Sequence, residues 1–477
     1  MASPIRLSSA HVGLSIPPAQ VYPTVISTPA FPSLLSFRSA PFSAALRVAI
    51  LALLCLPSFS AAQDNPADKL ISEGRLLLPA GTLEIDQPLE IDLSKTGPLH
   101  IVGQGHSRIV MNGAGPAIRI TGTLKGTAAP KTIKPQVFEK ENAPLIAGFE
   151  IIGNHPEADG IELVGVMQPT IRDLTIRKSR HAIRLTSRNR NLIVSDCHLY
   201  ENSGAGVYFD HVSLHQANIV GSHISYNAAG GVVIRGGDVR NVHISGCDIE
   251  ANMGDPDAPP AANVLLDSEE GSIGEVAITG CTIQHTHHGK DSANIWIDLQ
   301  SNRQKFTEEL RHGNVTISGN ILSDVQNNIY VQNTRGVAIT GNTIWKGYDR
   351  NILLKNCEAV VVSGNTFDRN PRYGYGDASD AKLGIRLSQC SGCLLVANAI
   401  NGVGDVDGAI ELHRCSQIVV SQSTIRGFPK AGVLLDECVQ SIVNNCIVTE
   451  ENAAAEAIRQ LGGEGNRIAE NMVIETP

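Results

Sequence analysis

The sequence predicts an all-β solenoid of stacked parallel strands. Three observations predict it: a motif that recurs with a near-constant period, apolar residues that alternate within each copy, and Gly or Asn at the bends. The motif reads apolar-x-apolar, two residues, Asn or Cys, x-apolar, a loop, then Gly/Asn-apolar-x-apolar. It is clearest in Val315-Thr316-Ile317-Ser318-Gly319-Asn320 followed by Asn328-Ile329-Tyr330-Val331. Further copies are Val337-Ala338-Ile339-Thr340-Gly341-Asn342 with Asn351-Ile352-Leu353-Leu354, and Val360-Val361-Val362-Ser363-Gly364-Asn365 with Gly384-Ile385-Arg386-Leu387.

The Asn/Cys position falls at Phe149, Leu174, Cys197, Ser222, Cys247, Cys281, Asn320, Asn342, Asn365, Asn398, Ser423, Cys446 and Asn471. Its steps are 22 to 25 residues, apart from three lengthened to 33, 34 and 39. A period of two within each copy is strand spacing, not helix spacing. Three short strands cannot bury their own apolar face, but stacking like units end to end does. Successive coils then pair in parallel about 4.8 Å apart. Asn suits the bend because it tolerates φ > 0 and bonds backbone locally. It can also pair with the Asn of the next coil.

These repeats resemble the right-handed parallel β-helix, or pectate-lyase-like, superfamily over roughly residues 75–477. The resemblance implies a right-handed parallel β-helix of about twelve coils, with an N-terminal cap and long loops over one strand column. It implies no single activity, because that fold carries many. A leucine-rich solenoid is excluded, since no helical segment recurs per repeat.

Composition bounds the partners. The chain has 38 basic and 47 acidic residues, a formal net charge of −9, which argues against a nucleic-acid partner. Forty-five glycines and 4% aromatic residues suit a Gly/Asn-turned solenoid. Repeats of this kind read as one domain, expected to be monomeric.

Residues 1–62 contain no Asp, Glu or Lys. Arg47 precedes an apolar run from Val48 to Leu56, and Ser60-Ala61-Ala62 offers a small-residue cleavage site before Gln63. This reads as a secretory presequence, with the mature chain secreted, periplasmic or at the cell surface. The run is too short to span a bilayer. The 46 residues before Arg47 are long for a signal, so they are an extra presequence or follow a misassigned start.

Residues 63–98 read as the N-terminal cap and residues 99–477 as the repeat domain. The Lys/Pro/Thr-rich stretch 123–142 has no pattern and reads as a long loop. Further loops are expected at 251–263, 284–294 and 368–383, each just before a Gly/Asn-apolar-x-apolar strand. Another, at 300–313, follows such a strand and is expected to hold a short helix over 303–311. Long loops in a repeat are usually functional. Cys357, Cys390, Cys415 and Cys438 share one column, while Cys197, Cys247 and Cys281 replace Asn at the bend. Both sets read as stacked interior side chains. Disulfides between coils require suitable Cβ geometry.

Loops entering and leaving one strand column wall a groove over it. In the apolar-x-apolar-y strand, both x and y can face outward. Position x reads Glu162, Arg184, Tyr208, Val233, Leu265, Trp296, Tyr330, Leu353, Arg386, Glu411, Leu434. Position y reads Val164, Thr186, Asp210, Arg235, Asp267, Asp298, Gln332, Lys355, Ser388, His413, Asp436. Trp296 and Tyr330 would form a sugar-stacking platform, with Asp210, Gln332 and His413 as polar anchors. Asp267 and Asp298, one coil apart, would serve as an acid/base pair or hold Ca²⁺. Lys355, Arg386 and Arg235 are candidates for the base or the carboxylate neutraliser of a β-elimination. The expected function is therefore a lyase, or a hydrolase or epimerase, acting on acidic polysaccharide. A carbohydrate-binding or structural rod with a merely solvated face is the alternative. Tyr208-Phe209-Asp210-His211 loosely resembles the Tyr/Asp/His cluster of alginate C5-epimerases, in a different order and spacing. His285, His287, His288 and Asp291 share one loop and suggest either a metal site or a solvated tip. The signatures of polygalacturonases and extracellular pectate lyases are missing.

Overall fold

The computed structural model describes residues 65–302, 307–369, 378–451 and 454–475. The segment read as a presequence lies outside the described residues. Most repeats are coils of three strands, and in two coils one long strand, Leu145–Gly153 or Thr170–Arg177, takes the place of the first two. A representative coil runs Asp238–Ser245, Asp248–Glu250, then Ala262–Asp267. The first two strands of each coil join a 29-stranded sheet, and the third joins a 14-stranded sheet. Pairing between coils is parallel, for example Val264↔Ile295 and Ile295↔Ile329, with one register shift between Val325 and Asn327 in the site sheet. One continuous core of Val, Ile and Leu fills the interior, with Val264, Leu266, Ile295 and Ile297 fully buried.

Within the segment read as a cap, the first regular coil already begins at Arg75–Leu78, which pairs with His100–Gly103. The end of the solenoid is closed by the single antiparallel pair Ile71–Ser72 with Arg75–Leu78, and by the turn Pro66–Lys69 capped by Asn65. The 123–142 stretch differs from a plain loop. It carries a helix, Pro135–Lys140, started by a proline whose missing N–H costs nothing at that position. Its Leu124, Ile133 and Val137 bury with Met167 in a small cluster of their own. The short helix expected over 303–311 is not there in the described residues 307–311. Instead Gln300 bridges Arg311 antiparallel, and Ser301 N–H donates to Leu310 C=O at 2.9 Å, so the loop leaves through a two-stranded neck. Residues 303–306 and 370–377, within two of the expected loops, lie outside the described residues.

Two buried asparagine ladders hold coil to coil. At the first bend Asn320, Asn342 and Asn365 donate in turn, each Nδ2 to the Oδ1 of the next, ending on Asn398, at 2.9–3.0 Å. Cys197, Cys247 and Cys281 occupy the same column, and their Sγ atoms donate to backbone carbonyls. The second ladder runs Asn202, Asn227, Asn252, Asn263, Asn294, Asn328 and Asn351, with Nδ2···Oδ1 distances of 2.7–2.9 Å. Between Asn252 and Asn263 it steps across the neck of the 251–263 loop within one coil. The ladder thus seals the core beneath the inserted loop. All nine described cysteines are free and buried.

Asn294 gives to Ser323 C=O and Asn328, and accepts from Asn263. Replacing it with Ala strands those groups in the core. Asn294→Ala is expected to lower stability by about 2–4 kcal/mol, from roughly 1–3 kcal/mol per buried unpaired group. The exposed Asn356→Ala should change it by less than about 0.5 kcal/mol. Urea unfolding midpoints of the two variants check this.

Candidate functional site

The 14-stranded sheet places the x and y residues as the period implies. Its register runs Asp210↔Arg235↔Asp267↔Asp298↔Gln332↔Lys355 along y, and Leu265↔Trp296↔Tyr330↔Leu353↔Arg386 along x. Both columns face away from the core. The x column is not freely solvated, however, because loops cover parts of it. Val233 and Leu265 bury with Ala205, Ala262 and Ala293, and Tyr208, Trp296 and Tyr330 pack against that group. Glu411, Leu353 and Leu434 are also buried.

Toward the N-terminus, outward charges alternate in sign and pair from coil to coil. Arg119 bridges Glu90 and Glu162, each at 2.6 Å, and Arg184 bridges Glu162 at 3.6 Å and Asp210 at 2.5 Å. The alternation breaks at the centre. Asp267 and Asp298 are neighbours in register, and Glu269 and Glu270 join them around a cavity of about 340 Å³. Burial raises the Asp267 pKa, and the facing Glu269 and Asp298 charges add to the rise, outweighing the Glu269 N–H bond and Arg235. Asp298 accepts from Gln332 Nε2 at 2.6 Å and from Asn333 Nδ2 at 3.1 Å. Tyr330 O–H donates to Gln332 Oε1. Trp296 stacks on Tyr330 with ring centroids 5.3 Å apart, and the Trp296 indole N–H is buried without a partner.

The three cations separate. Arg235 lies beside Asp267 at 3.4 Å and Glu269 at 3.6 Å. Lys355 donates to Tyr330 OH at 3.3 Å and sits 4.9 Å from that ring's centroid. Arg386 is drawn to Glu411 at 3.6 Å, three coils beyond Asp298. The structure therefore brings together Arg235, Asp267, Asp298, Gln332, Tyr330, Trp296 and Lys355. Arg386 and His413 belong to a second cluster, where Glu411 is buried between Arg350 at 3.3 Å and His413 at 3.3 Å. Despite burial, His413, Arg350 and Arg386 hold Glu411 down to about 2.

Sequence reasoning gave little weight to His211 and did not find Glu269. Gly236 leaves room for the His211 ring, since a Cβ there would come within 2.5 Å of it. His211 then bridges Asp210 at 2.8 Å and Glu269 at 2.9 Å. Nearby, the His181 ring packs tilted against Tyr208 at 4.8 Å, and burial pushes its pKa down to about 4. Its Nδ1 accepts from Ala205 N–H, which leaves the proton on Nε2. In the histidine loop, His287 stacks on Tyr348 at 4.0 Å and packs edge-on to His288, while His285 reaches Glu250 at 4.0 Å. Among the described residues no three His, Cys, Asp or Glu side chains converge as metal ligands, in that loop or around Asp267 and Asp298.

Two family models match the chain. Residues 140–259 match the family described as right handed beta helix region. The chain is a right-handed parallel β-helix. Residues 267–383 match the family described as periplasmic copper-binding protein (NosD). Comparison with curated protein sequences finds no match. Among solved structures, the β-helix is similar to tailspike protein 3 of bacteriophage CBA120, at 12% identity and TM-score 0.45, covering 83% of this chain and 56% of that one. It is similar to the catalytic unit of the GH87 α-1,3-glucanase of Streptomyces thermodiastaticus, at 14% identity and TM-score 0.40, covering 82% and 63%. It is also similar to the A-module of the mannuronan C-5 epimerase AlgE6 of Azotobacter vinelandii, at 13% identity and TM-score 0.39, covering 85% and 91%. The chain thus spans 56% and 63% of the length of the first two. None of these likenesses bears on substrate.

The two bridging histidines make this surface pH-sensitive. Glu411 and then Asp436 raise the His413 pKa above 6.5, against burial, and Asp210 and Glu269 do the same for His211. A raised histidine stabilises fully below the ordinary value, and the contribution is lost as pH rises through the raised one. The contributions of His413 and His211 to stability are therefore expected to be lost from pH 6 to pH 8, and in melting temperatures compared at the two pH values His413→Gln should remove its share of that loss. By NMR titration, Asp436→Asn should lower the His413 midpoint. An unmoved midpoint would contradict the bridge.

Proposed function

We propose that this protein is an exported enzyme that hydrolyses glycosidic bonds of a polysaccharide lying along the x and y columns. The observation that carries the proposal is the like-charged pair Asp267 and Asp298 in adjacent coils, beside stacked Trp296 and Tyr330. Asp267, whose pKa is raised, would protonate the leaving oxygen. Asp298, oriented by Gln332 and Asn333, would attack the anomeric carbon or activate water for that attack. Backbones of adjacent coils lie about 4.8 Å apart, nearer the roughly 5–5.5 Å carboxyl separation of a retaining pair than the wider inverting one. The half-buried rings would hold the apolar face of a sugar.

The elimination reading, first choice from sequence, has less support. Arg235 and Arg386 are engaged by carboxylates and do not give up a proton in proteins. His181 carries its proton on Nε2, and burial raises the Tyr208 pKa, so neither is set up as a base. Lys355 remains as the one candidate of the three without a carboxylate partner among the described residues. The acidic centre also suits a neutral sugar unit there better than a uronate. Export rests on the character of residues 1–62 and accords with the word periplasmic in one family description. Neither calcium nor copper enters the proposal, because the described residues offer no convergent ligand set.

The test is turnover of a polysaccharide panel, following reducing ends together with absorbance of unsaturated uronides. Hydrolysis predicts reducing ends without absorbance. Asp267→Asn and Asp298→Asn should each lower kcat by at least about 10²-fold. Trp296→Ala should mainly raise KM. Absorbance that depends on Lys355 would replace the proposal with a lyase, and silence on every polymer would favour a binding rod.

A further inference from the structure

A second groove lies on another face of the solenoid, against the 29-stranded sheet. It has a volume of about 570 Å³. Five amides from successive coils line it: Gln168, Asn191, Gln216, Asn218 and Asn241. Ile193, 39% exposed, supplies an apolar patch, and His243 stands at the rim. No Asp, Glu, Lys or Arg takes part in the lining, in a chain with 85 such residues. The carboxylate-rich cavity beside Asp267 is its chemical opposite.

Gln168, Asn191, Gln216 and Asn241 all take left-handed backbone, with φ of 56°, 56°, 68° and 59°. Asn is at home there, but Gln gains no local backbone bond to offset the strain. Further along, the same column keeps this conformation whatever the residue, at Glu275, Asn314, Gly336 and Ala359, with φ of 57°, 61°, 63° and 53°. The hydrogen bonds inside the groove are incomplete. Asn191 Nδ2 donates to Gln216 Oε1 at 2.6 Å, but Asn191 Oδ1 is buried with no partner. Among the described residues, no hydrogen bond reaches the Gln168 and Asn218 amides or the Gln216 Nε2. Asn241 donates to Glu275 at 2.6 Å.

The 123–142 insertion closes one end. Ala143, its exit, lines the groove, and Ala143 N–H donates to Met167 C=O at 3.0 Å. Arg190 Nη1 donates to Ala128 C=O at 2.6 Å, tying the insertion to the coil that carries Asn191. The largest departure from the repeat in the N-terminal half of the solenoid thus adjoins this groove, not the carboxylate pair.

We infer that this groove binds a neutral oligosaccharide segment. The Gln168 and Asn218 amides each offer a donor and an acceptor, and Gln216 offers its Nε2, which matches the hydroxyls of a sugar. Ile193 can meet a sugar's C–H face, and the uncharged lining spares any desolvated charge. The groove lies apart from the carboxylate pair, so it would hold polymer without cleaving it. The inference stands whether or not the pair is catalytic.

Affinity electrophoresis through gels cast with dextran, mixed-linkage β-glucan or galactomannan tests it. The Trp296→Ala protein serves as parent, so that the site column contributes least. At least one neutral polymer should retard it. The Asn191→Gly/Gln216→Gly variant, whose new residues accept the left-handed backbone, should bind that polymer about ten-fold more weakly, the equivalent of roughly one hydrogen-bonded pair. Asn218→Ala, exposed and without a protein partner, repeats the test with little risk to folding. Equal retardation of parent and variants overturns the inference, as does a parent that no neutral polymer retards. Retardation without turnover by the unmodified protein would instead remove the hydrolase and leave the groove.

Discussion

Every other feature of this molecule depends on coil-to-coil registration of the backbone. A three-strand coil has no interior of its own, so its apolar residues are buried only if the next coil stacks at the same spacing and in the same register. The two asparagine ladders help to enforce this. Each buried amide donates to the next Oδ1, and so a slipped coil would leave several polar groups unpaired in the core. Apolar ladders tolerate some slippage, whereas hydrogen-bonded amides do not. Registration is what aligns x with x and y with y over the whole rod.

The same constraint shows how long loops are accommodated without loss of the fold. A loop inserted between two strands forces the chain to leave the coil and return to it. At 251–263 the departing and returning residues, Asn252 and Asn263, bond directly at 2.8 Å, and the ladder continues through the neck. At 300–312 the neck is a short antiparallel pair, with His312 N–H donating to Leu299 C=O at 2.7 Å. Loop length is then free to vary while the strand beneath stays fixed. That is the condition for grafting a site onto a rigid column.

Much of this was legible in the sequence because period and alternation act locally. Tracking one Asn/Cys column placed Asp267, Asp298, Gln332 and Lys355 in one row, and the register agrees. Contacts that need two coils to be superposed were not legible. Glu269 meets His211 across 58 residues and Arg350 meets Glu411 across 61, and no local pattern marks either partner. The second asparagine ladder was half visible, as the Asn opening several site strands. Its members Asn202, Asn227 and Asn252 recur every 25 residues, but they stand before the loop and so outside the Gly/Asn-apolar-x-apolar motif. Outward-facing x residues were read as solvated because a strand pattern says nothing about loops that fold over it. Leu265 and Glu411 are outward and yet buried.

The outward charges separate structure from function more sharply than their mere presence does. Where the solenoid has only to be stable, opposite charges alternate: Glu90, Arg119, Glu162, Arg184 and Asp210 form one continuous ladder. Opposite charges placed across paired strands stabilise, and like charges so placed destabilise. The repeat could have continued that alternation indefinitely. It stops between the 251–263 and 300–313 loops, and there two aspartates stand in register with two glutamates close by. Like charges also stand in register at Glu450↔Glu475 near the C-terminal end, so it is the surroundings of the Asp267–Asp298 pair that set it apart. The aromatic pair packed beside it, the orphaned indole N–H and the amides aimed at Asp298 all converge on that same break. The hydrolysis proposed for the carboxylate pair would draw on all of them at once.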